Sequence, residues 1–308
     1  MVSGEALFRR LAVVTALFAY LQIALGGVVR VSGSGLGCPD WPLCNGRPYP
    51  PANVHSIIEY SHRAVGSVTG VLIIATVVMA WVVFRKRRPL VAWLAGASLI
   101  GVVGEGILGG IVVAKELSPW LVVVHLGLAM MIIGFLVATA IAAMPPSSGV
   151  PNTNFRSLAI VATAATYVMM LTGSTVVASG ADESCNSWPL CSGGFALDFT
   201  GANAFTMLHR GTVLVVGLLL LHVLSQAFLR WRSVKGMRPV AIAAIAALVV
   251  QAAVGAGSAI TGSAVFDGLH VALATLVWSG VLAATLLTLP RADKGFELSR
   301  LEVDRKSA

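Results

Sequence analysis

The chain has 308 residues, of which 57% are hydrophobic and only 11% charged, with a mean hydropathy of +0.87 and a net charge of +8. Soluble globular proteins carry about a quarter charged residues, so a water-surrounded fold is excluded, and disorder is excluded because it requires low hydrophobicity. The ~10-residue alternating segments of a transmembrane barrel are absent, which leaves an all-α, polytopic integral membrane protein.

Apolar runs bounded by charge or proline predict eight spans, at 7–29, 62–84, 90–113, 120–143, 157–179, 207–229, 239–261 and 267–289, each close to the ~20 residues that cross a bilayer. The first run is too long for a signal-peptide core and has no clear cleavage site before Arg30, so it reads as a retained helix. No lipidation signal is expected at the other end. An even number of spans puts both termini on one side. The N-terminus, the loops 85–89, 144–156 and 230–238 and the tail 290–308 hold 16 of the 21 Lys and Arg residues; Arg30, Arg47, Arg63, Lys115 and Arg210 fall on the other side. The positive-inside rule makes the first set, and both termini, cytoplasmic in a cell membrane. Topology and lipid therefore account for the basic charge, and no nucleic-acid partner is expected.

The chain repeats itself. Cys38 and Cys44 lie in the first long outer loop, Cys185 and Cys191 in the second, and each second cysteine follows Trp-Pro-Leu (Trp41 to Leu43, Trp188 to Leu190). The two sets are offset by 147 residues, as are His62-Arg63 and His209-Arg210, whereas His125 and His270 are offset by 145. The expected fold is two duplicated four-helix bundles with a pseudo-twofold axis along the membrane normal, a pattern found among membrane proteins with parallel repeats. The units are 1–143 and 157–289, joined by the linker 144–156.

His62, His125, His209 and His270 each fall near the outer end of an even-numbered span. Neutral imidazole is a good ligand for iron, copper or zinc, and two histidines on facing helices suit a planar macrocycle held between them. Cross-helix hydrogen bonding would explain one buried histidine; two pairs repeated with their neighbours point to axial ligation of haem iron. His222 has no repeat partner and reads as a buried, bonded histidine, and His55 falls in a loop with no ligand role. Arg63 and Arg210 follow ligand candidates, where a guanidinium fork suits a haem propionate; pairing with headgroups or loop acids is the alternative.

The halves also differ. Glu59 precedes His62 by three residues, so both share a helix face if the helix starts that early, and its counterpart is Thr206. One reacting site and one electron-relay site would explain the difference; a helix N-terminus that favours acid would also explain it. Glu105 lies inside the third span with Gln251 near its position in the other unit, and intramembrane acids are functional candidates; a neutral Glu bonded across helices is the alternative. In an oxidising compartment the cysteine pairs are expected to form disulfides, which staple the loops or, for Cys38 and Cys44, exchange electrons.

The run Gly26 to Cys44, with Gly33-Ser34-Gly35-Leu36-Gly37-Cys38 and Trp41-Pro42-Leu43-Cys44, followed by Glu59-Tyr60-Ser61-His62-Arg63, resembles bacterial haem A synthase of the type with two cysteine-bearing outer loops. The resemblance covers the eight-span core. It implies oxidation of the C8 methyl of haem O to a formyl group by successive hydroxylations, the gem-diol losing water. It implies that His62 and His125 take the substrate haem O while His209 and His270 hold a permanent haem b, with Glu59 catalytic and the haem sites toward the outer face. Haem O synthase, a protohaem farnesyltransferase, is the implied supplier of substrate, and an unidentified electron-transfer partner is implied too. The chain departs from the family pattern in having Glu105 where glutamine is usual, and five residues rather than six between paired cysteines. A dihaem electron-transfer protein of the quinol-oxidising cytochrome b type is the alternative class.

Overall fold

The computed structural model describes residues 4–145, 151–185, 187–191 and 196–290; the expected tail beyond 290 and the centre of the 144–156 linker lie outside the described residues. Hydrocarbon offers the backbone no hydrogen-bond partners, so a spanning segment must satisfy its own N–H and C=O groups. The eight apolar runs do so as helices: α1 (Gly4–Val31), α2 (Val54–Phe84), α3 (Pro89–Ala114), α4 (Pro119–Ala142), α5 (Thr153–Ala178), α7 (Asn203–Arg230), α8 (Met237–Thr261) and α9 (Ala264–Leu287). A single short turn of helix, α6 (Ala181–Ser184), lies in the second cysteine loop and has no apolar signature in the sequence.

The ends are set by local chemistry. Asn53 caps α2, accepting from the Ser56 N–H, and Asn152 caps α5, accepting from the Phe155 N–H. These are side chains whose oxygens replace the missing intrahelical acceptor. Proline begins α3 and α4, where its fixed φ and lost N–H cost nothing. The largest departure from the hydropathy reading is α2, which starts at Val54 rather than at 62. Its first two turns are polar and stand beyond the apolar run, so Glu59 and His62 are both helical.

The spans pack as two rings. In the first, α1 contacts α2, α2 contacts α3, α3 contacts α4 and α4 returns to α1; in the second, α5, α7, α8 and α9 repeat that circuit. The rings meet where α9 packs on α1 and α4, and α4 on α5. The spans α4 and α9 are the most enclosed. The seam core comprises Ile23, Ile73, Met130, Ile133, Leu136 and Trp278. Each ring also has its own buried cluster, with Phe8 edge-on to Phe84 in the first and Leu220, Leu224 and Met237 in the second. Close approach inside each ring relies on small residues: a Cβ on Gly101 would sit 2.8 Å from Ile132, and one on Gly280 would sit 2.9 Å from Ala244. This is how membrane helices associate when no hydrophobic force separates helix from lipid.

Polar bonds tie the seam. Trp278 donates its indole N–H to the Met130 carbonyl at 2.8 Å, and the Tyr167 hydroxyl donates to the Gly127 carbonyl at 3.0 Å. Arg30, at the end of α1, pairs with Asp182 of α6 at 3.5 Å. His222, expected to be buried and bonded, is exposed on the surface of α7; the duplicated histidines face inward, and nothing in the helical register draws His222 with them. Replacing Trp278 with Phe should remove the seam bond and part of the packed ring, costing about 1 kcal/mol for the bond alone. A lowered thermal midpoint in detergent, with unchanged helical content, is the expected result.

Candidate functional site

All chemistry-bearing residues gather at the end of the bundle that carries the cysteine loops. His62 lies eight residues into α2, and His125, His209 and His270 lie six residues into α4, α7 and α9. At about 1.5 Å per residue the four rings sit at similar depth, roughly two turns below the loop ends. His62 and His125 are near enough to interact electrostatically, and so are His209 and His270. The structure thus brings together the two pairs that the repeat defines.

Each ring lies against a glycine of a neighbouring helix. A Cβ would approach the imidazole Cε1 at 3.2 Å from Gly26 (His62), 3.4 Å from Gly109 (His125), 2.9 Å from Gly173 (His209) and 2.8 Å from Gly255 (His270). Gly26 and Gly173 are 147 residues apart, Gly109 and Gly255 146, so the seats repeat with the histidines. Each ring also has one polar neighbour. Gln22 lies 3.2 Å from His62 Nε2, Thr172 Oγ1 3.1 Å from His209 Nδ1, and the Gln251 amide nitrogen 3.1 Å from His270 Nδ1. Glu105 Oε1 is 3.2 Å from His125 Nδ1. That contact is within ion-pair reach but off the hydrogen-bond axis, so His125 Nδ1 and Glu105 Oε2 are both buried without a hydrogen-bond partner, as is His62 Nδ1. Gln22 and the glycine seats at Gly26, Gly173 and Gly255 escaped the sequence reading. A glycine carries no signal among 32, and Gln22 is 40 residues from the ring it touches.

The loops close over this end. Disulfides join Cys38 to Cys44 and Cys185 to Cys191, with Cα separations of 4.5 and 4.7 Å. Both Trp-Pro peptides, Trp41-Pro42 and Trp188-Pro189, are cis. Trp41 rests on Gly110 of α3, and a cavity of about 410 Å³ opens beside it, lined by Pro39, Ile107, Ile111 and Val113. Arg63 is the brace: its guanidinium donates to the carbonyls of Cys38, Asp40 and Leu43 and to Glu59 Oε1 at 2.5 Å. Glu59 Oε2 in turn accepts from the Cys38 N–H at 2.7 Å. Arg210 braces the second loop through the Ser187 and Pro189 carbonyls, and Asp40 and Ser187 are again 147 residues apart. Both arginines, expected beside propionates, are thus directed at loop carbonyls. Thr206, in the place of Glu59, is buried with its hydroxyl unpartnered. His55 holds the first loop through Ser34 at 3.0 Å.

Asp40 ties the turn of the first loop. The Gly46 and Asn45 N–H groups and the Arg63 charge hold its carboxyl below the usual carboxylate range. A group with a depressed folded pKa stabilises fully above its ordinary range, and that contribution is lost as pH falls through the lowered value. Amide protection at Asn45 and Gly46, measured by hydrogen exchange, should therefore fall with acidification below the usual carboxylate range. In Asp40→Asn protein it should be low throughout and insensitive to pH.

Residues 9–57 and 52–282 match the family described as cytochrome oxidase assembly protein, COX15-CtaA. Over 290 residues the chain is 29% identical to the haem A synthase of Shouchella clausii, covering 91% of this chain and 94% of that protein. It is 28% identical over 286 residues to that of Alkalihalophilus pseudofirmus, covering 89% and 95%. Over a shorter stretch of 194 residues it is 32% identical to the haem A synthase of Exiguobacterium sibiricum, covering 60% and 65%.

Proposed function

Since the chain belongs to the COX15-CtaA family of cytochrome oxidase assembly proteins, whose full-length relatives here are haem A synthases, we propose that its two histidine pairs divide that enzyme's work between a substrate site and a resident cofactor. The chain is a membrane oxidoreductase that converts haem O to haem A, taking the C8 methyl through successive hydroxylations to the gem-diol, which loses water. The observation that carries the division is the pairing of four rings at one depth, His62 with His125 and His209 with His270, each on a glycine seat.

These residues fit a flat iron macrocycle. Each glycine keeps a side chain out of the groove beside a ring, and the buried His62 Nδ1 has no protein partner, as a nitrogen meant for an external acceptor would. His209 and His270 hold haem b, which when bound supplies one-electron transfer. His62 and His125 take haem O. Thr172, bonded to His209 Nδ1, leaves Nε2 of that ring for iron. Arg210, whose second terminal nitrogen is uncommitted among the described residues, is the better placed arginine for a propionate; Arg63 has both terminal nitrogens engaged. The Cys38–Cys44 loop, clamped by Arg63 and Glu59, covers the first pair and excludes water from it. Glu59 lies on the His62 face of α2 and is the acid of the reacting half, absent from the other, where Thr206 stands. The repeated seats and braces support a duplicated fold with a pseudo-twofold axis along the membrane normal, the loops outside and both termini in the cytoplasm. A haem O synthase supplies the substrate, and an unidentified electron-transfer partner exchanges electrons with the haem b half.

His209→Ala or His270→Ala should abolish the permanently bound b-type absorption spectrum, and His62→Ala should leave most of it; the opposite pattern would reverse the halves. Glu59→Gln should retain haem yet form little haem A, with the hydroxymethyl intermediate accumulating in extracted haem. Normal haem A formation by that variant would confine Glu59 to loop bracing.

A further inference from the structure

We infer that Glu105 is a positioning residue for iron in the first half. It accepts a hydrogen bond from the Nδ1–H of His125 and makes that imidazole a stronger donor than its counterpart His270, an inference that rests on the ligand role proposed above for His125.

The four rings have four polar neighbours, Gln22, Glu105, Thr172 and Gln251, and among them only Glu105 is acidic. Glu105 and Gln251 stand 146 residues apart, beside histidines 145 apart, so the same place in the two halves holds a carboxyl in one and an amide in the other. The contact is directed at one nitrogen: Oε1 is 3.2 Å from Nδ1, which leaves Nε2 for iron. The carboxyl has no competing attachment, since Oε2 is buried and without a hydrogen-bond partner, and the flanking Gly106 has open space around it. An acid is expensive at this depth of a membrane span and marks function by default. Hydrogen bonds at catalytic rings are often poorly aligned until the ligand is in place.

The chemistry follows from how haem sites are tuned. A ligating histidine gives its other N–H to an acceptor that fixes the tautomer and raises ligand basicity, and an ionic acceptor forms a stronger bond than a neutral one. A more electron-releasing ligand favours ferric over ferrous iron, and it is one of the levers that separate oxygen chemistry from electron transfer at haem. Glu105 thus adds to the difference between Glu59 and Thr206: at these two places the reacting half holds carboxyls and the relay half a hydroxyl and an amide, while the relay half's own acid near its ligands, Asp267 a turn before His270, is bonded to Ser258.

The test is a spectroelectrochemical titration of the full-length protein carrying haem b and added haem O. Glu105→Gln copies the second half into the first. It should weaken the ferric preference of the haem O site by on the order of tenfold, an upward shift of about 59 mV for one electron, with the haem b midpoint unmoved. Gln251→Glu should lower the haem b midpoint in the opposite sense. An unmoved haem O midpoint in Glu105→Gln protein that binds haem O normally would overturn the inference. If that variant takes up no haem O, Gln251→Glu decides: a lowered haem b midpoint supports the inference and an unmoved one overturns it. His125→Ala separates this from the reading beneath it, because retention of an unaltered haem O spectrum there would remove His125 as a ligand.

Discussion

Every other feature of the site depends on an imidazole lying in a groove that only glycine leaves open. Three times, at Gly26, Gly173 and Gly255, the structure sets a histidine ring against a neighbouring helix at a distance where a single methyl group would collide or press on Cε1, and at Gly109 a methyl would just touch it. A helix surface with side chains at those places would push the rings out of the bundle or apart from one another. With glycine there, the helices approach closely, as small residues allow in membranes, and the rings lie at similar depth. The loops, the arginine braces and the disulfides are then arrangements for covering what the pairs hold.

The two halves share this frame and diverge in charge. Arg63 and Arg210 make the same bond to loop carbonyls 147 residues apart, so bracing the loop is common to both. Beyond that, the first loop is tied more heavily. Glu59 is fastened at one oxygen to Arg63 and at the other to the Cys38 N–H, while Thr206 makes no side-chain bond. A buried carboxylate bonded in this way is costly to leave half satisfied, and its presence in one half only is what a division between reacting and relay sites requires.

Much of this was legible in the sequence, because rare residues repeated at one offset cannot hide. The spans and the cysteine pairs that form the two disulfides followed from hydropathy and spacing. What escaped did so for physical reasons. Hydropathy could not see the polar first turns of α2, which Asn53 and not an apolar face begins. That Arg63 and Arg210 brace the loops escaped because a chain of letters does not show that a loop folds back over its own helix. Glu105 was seen as an intramembrane acid, but its partner His125 is 20 residues away across the tight turn at Glu116 and Leu117. His222 was misplaced because the apolar stretch of α7 around it gives no sign of which side it faces.

The claim that one half reacts and the other relays is tested most directly by supplying haem O to the wild-type protein in its membrane, then extracting and weighing the haems per chain. The account predicts one unaltered haem b that stays with the protein, together with haem A and its hydroxymethyl precursor derived from the added haem O. Two unaltered haems b per chain, neither exchanging with haem O and with no oxidised product, would contradict it.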